Sequence, residues 1–387
     1  MYKVLTYNSI APVGLERFPR DRYEIASEIQ NPDAIILRSY NLHGVPIPDS
    51  VKAIGRAGAG TNNIPITDYS NRGIPVFNAP GANANAVKEL TLAGMLLASR
   101  HICSAWRYTQ NLNADDQNLS ALIEQGKGQF AGSELMGKTL AVLGLGAIGV
   151  KVANAAFELG MNVIGYDPML TIEHAWQLSS KISRAANIDD LISRADYISL
   201  HVPLNEHTQH VINTSRLALV KHGAVLLNFS RDQVVDEQAV VQSLDQGYLG
   251  QYICDFPSKA LMHHPNITTL PHLGASTQEA EDNCAIMVAD QIRDYLEHGI
   301  IKNAVNLPDV VMPERAGYRV SVVNQNVPNM VGQISCAIAD AKLNILNLVN
   351  KSKGDLAYTL IDVEAEIPEA TLLQIKSIKG ILSARTI

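Results

Sequence analysis

The chain is short of several things, and each shortage excludes something. Its 387 residues hold four cysteines, Cys103, Cys254, Cys284 and Cys336, far apart and without metal-ligand spacing. A disulfide framework is thereby excluded, and free thiols in a reducing cytoplasm are expected. Metal binding is not expected either, since His207 and His210 sit in a polar loop and His263 and His264 are adjacent, which is poor geometry for chelation. Positive charge is not in excess. With a formal net charge of −7 the chain lacks the basic face that a nucleic-acid partner requires. Long apolar runs are missing too, and stretches such as Leu90–Ser99 fall well short of the roughly 20 residues that span a bilayer. No membrane partner is expected. The opening residues, Met1 to Tyr7, lack the charged region, apolar stretch and small-residue cleavage site of a signal peptide and read as a strand.

What the chain does have is a glycine fingerprint. Leu140-Ala141-Val142-Leu143-Gly144-Leu145-Gly146-Ala147-Ile148-Gly149 is an apolar run ending in Gly-x-Gly-x-x-Gly, followed by helix formers. The pattern predicts a strand, a tight turn and a helix whose free N–H groups face an anion. Gly144 permits the turn, Gly146 lets the backbone approach a pyrophosphate, and Gly149 lets helix and strand pack closely. Among 26 glycines the motif alone is a weak signal. The next apolar run, Met161–Tyr166, strengthens it by ending in Asp167, about 20 residues on, where an acceptor for a ribose 2′-hydroxyl is expected. The competing reading is a tight turn followed by a surface aspartate.

Hydrophobic content of 47% and charge of 18% suit a globular chain long enough for two or three domains. Apolar runs at Lys3–Tyr7, Ala34–Leu37, Ala53–Gly55 and Pro75–Asn78 have the rhythm of a parallel α/β sheet. Helices are expected at Asn85–Arg100 and Ile102–Gln110. From Thr139 the rhythm restarts, with further strands at Tyr197–Val202, Ala224–Asn228, Gly250–Asp255 and Ile267–Leu270. Ser276-Thr277-Gln278-Glu279 has the spacing of a capping box and should open a helix reaching His298 that returns to the first domain. Asn306 to Arg315 carries two prolines and reads as a linker. The last seventy residues read strand, helix, strand, strand, helix, strand, which is the ferredoxin-like order. The expected architecture is α/β: a flavodoxin-like substrate domain (residues 1–100 and 273–305), a Rossmann dinucleotide domain (101–272), a linker (306–316) and a small regulatory or oligomerisation domain (317–387).

Polar residues stand at several predicted strand ends. Arg38-Ser39 follows one strand, Arg56 to Thr61 with Gly58, Ala59 and Gly60 follows another, and Ser230-Arg231-Asp232 follows a third. Arginines at separate loop starts suit a substrate with more than one anionic group, because the guanidinium fork matches carboxylate and phosphate. Ordinary surface ion pairs are the competing reading. His272, between a strand end and the capped helix, can accept a hydroxyl proton, since free imidazole titrates near pH ~6.5.

With the fingerprint, Asp167, Arg231 and His272 in hand, the first three hundred residues resemble the D-2-hydroxyacid dehydrogenases. The matching segments are Gly55-Arg56-Ala57-Gly58-Ala59-Gly60, Val76-Phe77-Asn78-Ala79-Pro80-Gly81 and Pro271-His272-Leu273-Gly274-Ala275-Ser276-Thr277. The C-terminal seventy residues are similar to the ACT domain that accompanies the phosphoglycerate-oxidising branch, in its short form. The resemblance implies NAD-dependent oxidation of 3-phospho-D-glycerate to 3-phosphohydroxypyruvate, the first step of serine biosynthesis. It assigns His272 the C2 hydroxyl proton and Arg231 the C1 carboxylate and C2 oxygen. Arg38, Ser39, Arg56 and the amides of Gly58, Ala59 and Gly60 fall on the substrate side. Gly144, Gly146, Ala147, Ile148, Gly149, Asp167, Val202, Pro203, Ser230, Asp255 and Gly274 fall on the cofactor side, with Asp255 a candidate for the nicotinamide carboxamide. The ACT likeness implies L-serine as an effector, with Asn324, Asn326 and Asn344 at the polar positions, and a homodimer.

The chain departs from the family pattern at named places. Lys259 aligns with the glutamate that usually pairs with the catalytic histidine, and a lysine there would disfavour imidazolium. Asp255, Glu279 and Asp282 are candidate substitutes. Asp232 stands where glycine usually follows the substrate arginine, Asn324 replaces a histidine, and Asn329 replaces a glycine. Two other functions compete: a hydroxypyruvate or glyoxylate reductase of the same family, and a dinucleotide-sensing protein that has lost the chemistry.

Overall fold

The computed structural model describes residues 1–312 and 315–387. The chain separates into two compact units, Met1–Asn83 with Gln278–Ile387, and Ala84–Thr277.

The first unit is built on a five-stranded parallel sheet of β1 (Tyr2–Thr6), β2 (Tyr23–Ala26), β3 (Ala34–Leu37), β4 (Ala53–Arg56) and β5 (Val76–Phe77), in the order β2-β1-β3-β4-β5. That is the flavodoxin-like order, with a change of winding direction beside β1 and β3. All four residues of β3 are buried, because helices or loops cover both faces of a parallel sheet. The helix Gln278–His298 lies against this sheet, and Gly55 lets it come close: a Cβ there would stand 2.4 Å from Val288 Cγ1. The helix starts at Gln278. The Ser276 hydroxyl donates to the His272 carbonyl, at 3.4 Å.

The second unit carries a seven-stranded parallel sheet of β6 (Thr139–Leu143), β7 (Asn162–Tyr166), β8 (Ser183–Arg184), β9 (Tyr197–Leu200), β10 (Ala224–Asn228), β11 (Leu249–Cys254) and β12 (Ile267–Thr269). Its order, β12-β11-β10-β9-β6-β7-β8, is doubly wound about β6 and β9. Helix Ala84–Ser99 belongs to this unit and not to residues 1–100 as a block. Its Val87, Met95 and Ala98 pack with Leu140, Val142 and Leu227, and Gly94 admits Leu227 and Phe229. An apolar helix face fits either sheet, so periodicity alone does not assign it. The second crossing between the two units falls after Thr277.

The C-terminal residues form β13 (Tyr318–Gln325), β14 (Ile345–Lys353), β15 (Leu356–Val363) and β16 (Ile381–Thr386), antiparallel in the order β14-β15-β13-β16, with helices Met330–Asp340 and Glu369–Ser377. This is a ferredoxin-like arrangement, compatible with the expected ACT domain. Pro313 and Glu314 of the expected linker lie outside the described residues, but Leu307, Val310 and Met312 are buried. The Asn306 amide accepts from Val76 N–H (2.9 Å) and donates to the Ile74 carbonyl (2.9 Å). Val323, Tyr358 and Leu360 share one apolar cluster with Phe77, Tyr295 and Leu296. A buried ion pair, Arg319–Asp362 at 2.6 Å, fastens the sheet, and Arg319 also donates to the carbonyls of His298 (3.0 Å) and Met312 (2.8 Å). Among the described residues no helix is long and apolar enough to cross a membrane, and no cluster of His, Cys, Asp or Glu is placed to hold a metal.

Candidate active site

In the second unit, the loops after β6 and β9 meet where the winding reverses, which is where a doubly wound sheet takes its ligand. Gly144 has φ +92°, and a Cβ there would lie 2.5 Å from the His201 carbonyl oxygen. At Gly149 an added Cβ would stand 1.9 Å from the Gly144 carbonyl oxygen, whereas one at Gly146 would meet nothing within 4 Å. Two of the three glycines are thus demanded by the protein's own packing, and the middle one faces open space. Ala147, Ile148 and Gly149 open the helix Ala147–Glu158, which has no side-chain cap, so its first amides are available to an anion. The Asp167 carboxylate braces this turn, accepting from Leu145 N–H and Met169 N–H, each at 2.8 Å. Val202 packs beside Gly144, and the Pro203 carbonyl accepts from the Thr208 hydroxyl at 2.6 Å. These residues fit a dinucleotide: an open glycine, an uncapped helix start and a half-buried carboxylate at the neighbouring strand end.

On the same sheet edge, buried Asn228 ends β10 and organises the next turn. Its Oδ1 accepts from the Ser230 hydroxyl (2.8 Å) and its Nδ2 donates to the Arg231 carbonyl (2.8 Å). The Arg231 guanidinium is exposed, donating to the Ser230 carbonyl at 2.6 Å, and among the described residues no ion pair ties it to Asp232. His272 has φ +51°, a left-handed conformation that costs a non-glycine residue free energy and is found where function over-determines the backbone. Its N–H donates to the Asp255 carbonyl (3.0 Å), and its ring meets the Phe256 ring edge-on at 5.2 Å. Gly274 N–H donates to Asp255 Oδ2 at 2.8 Å, so the segment from His272 to Gly274 wraps around this one aspartate.

Asp255 is 1% exposed, and its Oδ1 has no hydrogen-bond partner among the described residues. Burial pushes its carboxyl above the ordinary range, while the Gly274 N–H and the charges of His272 and Arg231 pull the other way. Sequence reading missed Asn228 as an organiser and also missed His201. The His201 ring bonds the Ser199 hydroxyl at 2.8 Å, and burial lowers its pKa to about 4, so it is neutral beside the glycine turn. A polar residue ending an apolar strand, as in Val225-Leu226-Leu227-Asn228, was the available signal.

In the first unit, Arg38 and Arg56 leave the adjacent ends of β3 and β4, where Leu37 pairs with Arg56. Arg38 Nη2 pairs with Glu281 Oε1 at 2.7 Å. Asn8 Oδ1 accepts from the amides of Ser39 (3.1 Å) and Tyr40 (2.7 Å). The Gly58 amide is not offered to an anion, because it donates to the Arg56 carbonyl at 2.8 Å inside the turn. The amides of Ala59 and Gly60 make no hydrogen bond among the described residues. Asn78 Nδ2 holds the Ala59 carbonyl at 2.6 Å.

Residues 92–274 match the family model described as "D-isomer specific 2-hydroxyacid dehydrogenase, NAD binding domain". The D-3-phosphoglycerate dehydrogenase of Escherichia coli (strain K12) is 32% identical over 350 residues, covering 87% of this chain and 82% of that protein. The chain belongs to the D-2-hydroxyacid dehydrogenase family. A second relative, the D-3-phosphoglycerate dehydrogenase of Methanocaldococcus jannaschii, is 33% identical over 93% of this chain, which spans 65% of that relative's length. Among solved structures, the NAD+-bound 3-phosphoglycerate dehydrogenase of Entamoeba histolytica superposes with a TM-score of 0.60 at 25% identity, over 79% of this chain and 98% of that one.

Within this 2-hydroxyacid dehydrogenase, Lys259 at the usual glutamate position is exposed on a turn whose Ser258 hydroxyl donates to Glu237 at 2.8 Å. Asp255 is the carboxylate whose charge bears on His272. Of the other candidate substitutes, Asp282 accepts from Gln278 Nε2 at 2.8 Å and Glu279 is exposed. In the C-terminal sheet, Asn324 is 1% exposed, and its Oδ1 has no partner among the described residues. Asn326 donates to the Gly354 carbonyl (3.1 Å), closing the β14–β15 hairpin, and the Asn344 amide donates to Glu364 (3.1 Å).

Proposed function

We propose that this dehydrogenase oxidises 3-phospho-D-glycerate to 3-phosphohydroxypyruvate with NAD, the first step of serine biosynthesis. The observation that carries the reading is the Asp255-centred cluster of Arg231 and His272, which supplies a cation for a carboxylate and a base for a hydroxyl. Relatives named D-3-phosphoglycerate dehydrogenase choose the substrate within the family. Arg231 holds the C1 carboxylate and C2 oxygen, and an imidazole nitrogen of His272 takes the C2 hydroxyl proton as the C2–O bond becomes a carbonyl. Arg38, Ser39, Arg56 and the amides of Ala59 and Gly60 meet the phosphate. Gly144 to Gly149, Asp167, Val202, Pro203, Ser230 and Gly274 hold NAD, and Asp255, whose Oδ1 has no partner among the described residues, takes the carboxamide. The chemistry NAD supplies when bound is acceptance of the hydride from C2.

The reading extends to a homodimer in the cytoplasm and to L-serine as an effector at the ACT sheet, through Asn324, Asn326 and Asn344. An absorbance assay of NADH formation on 3-phosphoglycerate, with a serine titration, tests it. Good turnover of glyoxylate or hydroxypyruvate with none of the phosphorylated acid would replace it by a reductase.

Asp167 sets the cofactor. Its carboxylate repels a 2′-phosphate, so NAD should exceed NADP in kcat/KM by at least about tenfold. Asp167→Ala should narrow that ratio and also weaken NAD, because Leu145 N–H and Met169 N–H lose their acceptor. Equal use of both cofactors by the unaltered enzyme would show that another group decides.

Arg56→Ala should raise KM for 3-phosphoglycerate by about 10–100-fold, the effect of losing one charge-assisted contact. NAD affinity, read by fluorescence titration, should stay within about twofold. The reverse pattern would move Arg56 to the cofactor side.

A further inference from the structure

Asn63 stands between the two arginine loops of the first unit and bonds to both. Its Oδ1 accepts from Arg56 Nε at 3.0 Å. Its Nδ2 donates to the carbonyls of Arg38 (3.1 Å) and Tyr40 (2.7 Å). Carboxamides offer one acceptor and two donors on a short stem, and here all three are engaged; aspartate has no donor and serine only one. A second feature fixes the same guanidinium. A Cβ on Gly58 would lie 2.4 Å from Arg56 Nη1 and 3.2 Å from its Cζ, so the guanidinium plane rests across the bare Cα of Gly58. The loop beneath is fixed in turn, with Ala79 N–H donating to the Gly58 carbonyl at 3.0 Å and Asn78 holding Ala59.

We propose that Asn63 is a positioning residue: its amide sets the pose of Arg56 and locks the Arg38–Tyr40 loop to it, making one rigid receptor for the anionic group of a 2-hydroxy acid. The inference rests on the substrate reading above, in that Arg56 is taken to meet the substrate's phosphate. Pre-organisation of this kind lowers the ordering cost that a flexible arginine meets on binding. It also separates this residue from a purely structural asparagine, because its effect must pass through Arg56 and the Arg38–Tyr40 loop.

A double-mutant cycle tests that route. Asn63→Ala should raise KM for 3-phosphoglycerate about 5–20-fold, the equivalent of about 1–2 kcal/mol for one half-buried, charge-assisted hydrogen bond. kcat and NAD affinity should stay within about twofold. In a background lacking both cations, Arg38→Ala with Arg56→Ala, the same change should alter KM by less than about twofold. Additive effects on KM, or a fall in kcat with KM unchanged, would overturn the proposal. Should Asn63→Ala fail to fold, Arg56→Lys decides: it keeps the charge and removes the Nε–H donor. A KM close to that of Arg56→Ala supports the clamp, and a KM near the unaltered value overturns it. The substrate profile of the unaltered enzyme keeps the two readings apart. If it uses another 2-hydroxy acid and not 3-phosphoglycerate, the substrate reading falls and the cycle is run on that acid.

Discussion

His272→Ala is expected to lower kcat for 3-phosphoglycerate oxidation by about 10²–10⁴, the range for removing a general base. NAD should bind as before, because the glycine turn and Asp167 make no use of the imidazole. The His272 backbone reinforces the expectation. It adopts a left-handed conformation within a segment that wraps Asp255 through His272 N–H and Gly274 N–H. Nothing in ordinary turn formation requires a histidine there, where glycine or asparagine is less costly. Steady-state rates with saturating NAD, together with cofactor titration by fluorescence, measure both halves. An alanine variant as active as the unaltered enzyme would favour a dinucleotide-sensing protein and remove the proposed chemistry.

Arg319→Met is expected to destabilise the first unit by about 3–5 kcal/mol, since it leaves Asp362 buried without its cation. Both side chains are fully buried and joined by two hydrogen bonds, of 2.6 and 2.9 Å. The carbonyls of His298 and Met312 lose their donor as well. Burial opposes the charge on Asp362, but Arg319 and the Ala316 N–H outweigh it and hold the carboxyl below its ordinary range. A depressed folded pKa contributes stability that is present above the unfolded value, near ~4, and is lost as pH falls through the folded value. In Arg319→Met that contribution is gone and the bare carboxyl is pushed upward, so the stability gap between variant and parent should narrow on acidification. Urea denaturation at pH 7 and pH 5 measures it. The double change Arg319→Met, Asp362→Leu should recover most of the loss, because a buried apolar pair carries no desolvation cost. A single variant as stable as its parent would mean that the ion pair does not hold the ACT sheet in place.

Much of the frame was legible in the residues. Strands β3, β6, β7, β9 and β10 are continuous apolar runs because both faces of a parallel sheet are covered. The short edge strands Tyr23–Ala26 and Ser183–Arg184 went unread, since an edge needs no such run. The glycine turn was legible because each glycine answers a local demand: a positive φ at Gly144, a close approach at Gly149 and open space at Gly146. The arginines were legible as strand-end cations, but their surroundings were not. That Glu281 pairs with Arg38, and that Asn63 grips Arg56, depends on residues 243 and 7 positions away brought together by the sheet order.

Asp255 shows the same limit from the other side. Lys259 occupied the aligned position and carried the wrong charge for an imidazole partner. Only the fold sends Lys259 to an exposed turn and buries Asp255 inside the His272–Gly274 segment. By itself the sequence determined that a dinucleotide domain exists and that cations and an imidazole stand at strand ends, because period, glycine and strand-end position are local properties. The tertiary structure alone decided that the His272–Gly274 segment wraps Asp255, what Arg56 bonds to and how the C-terminal sheet is fastened. Burial, charge proximity and hydrogen-bond geometry are set by residues far apart in the chain, and no spacing within a motif encodes them.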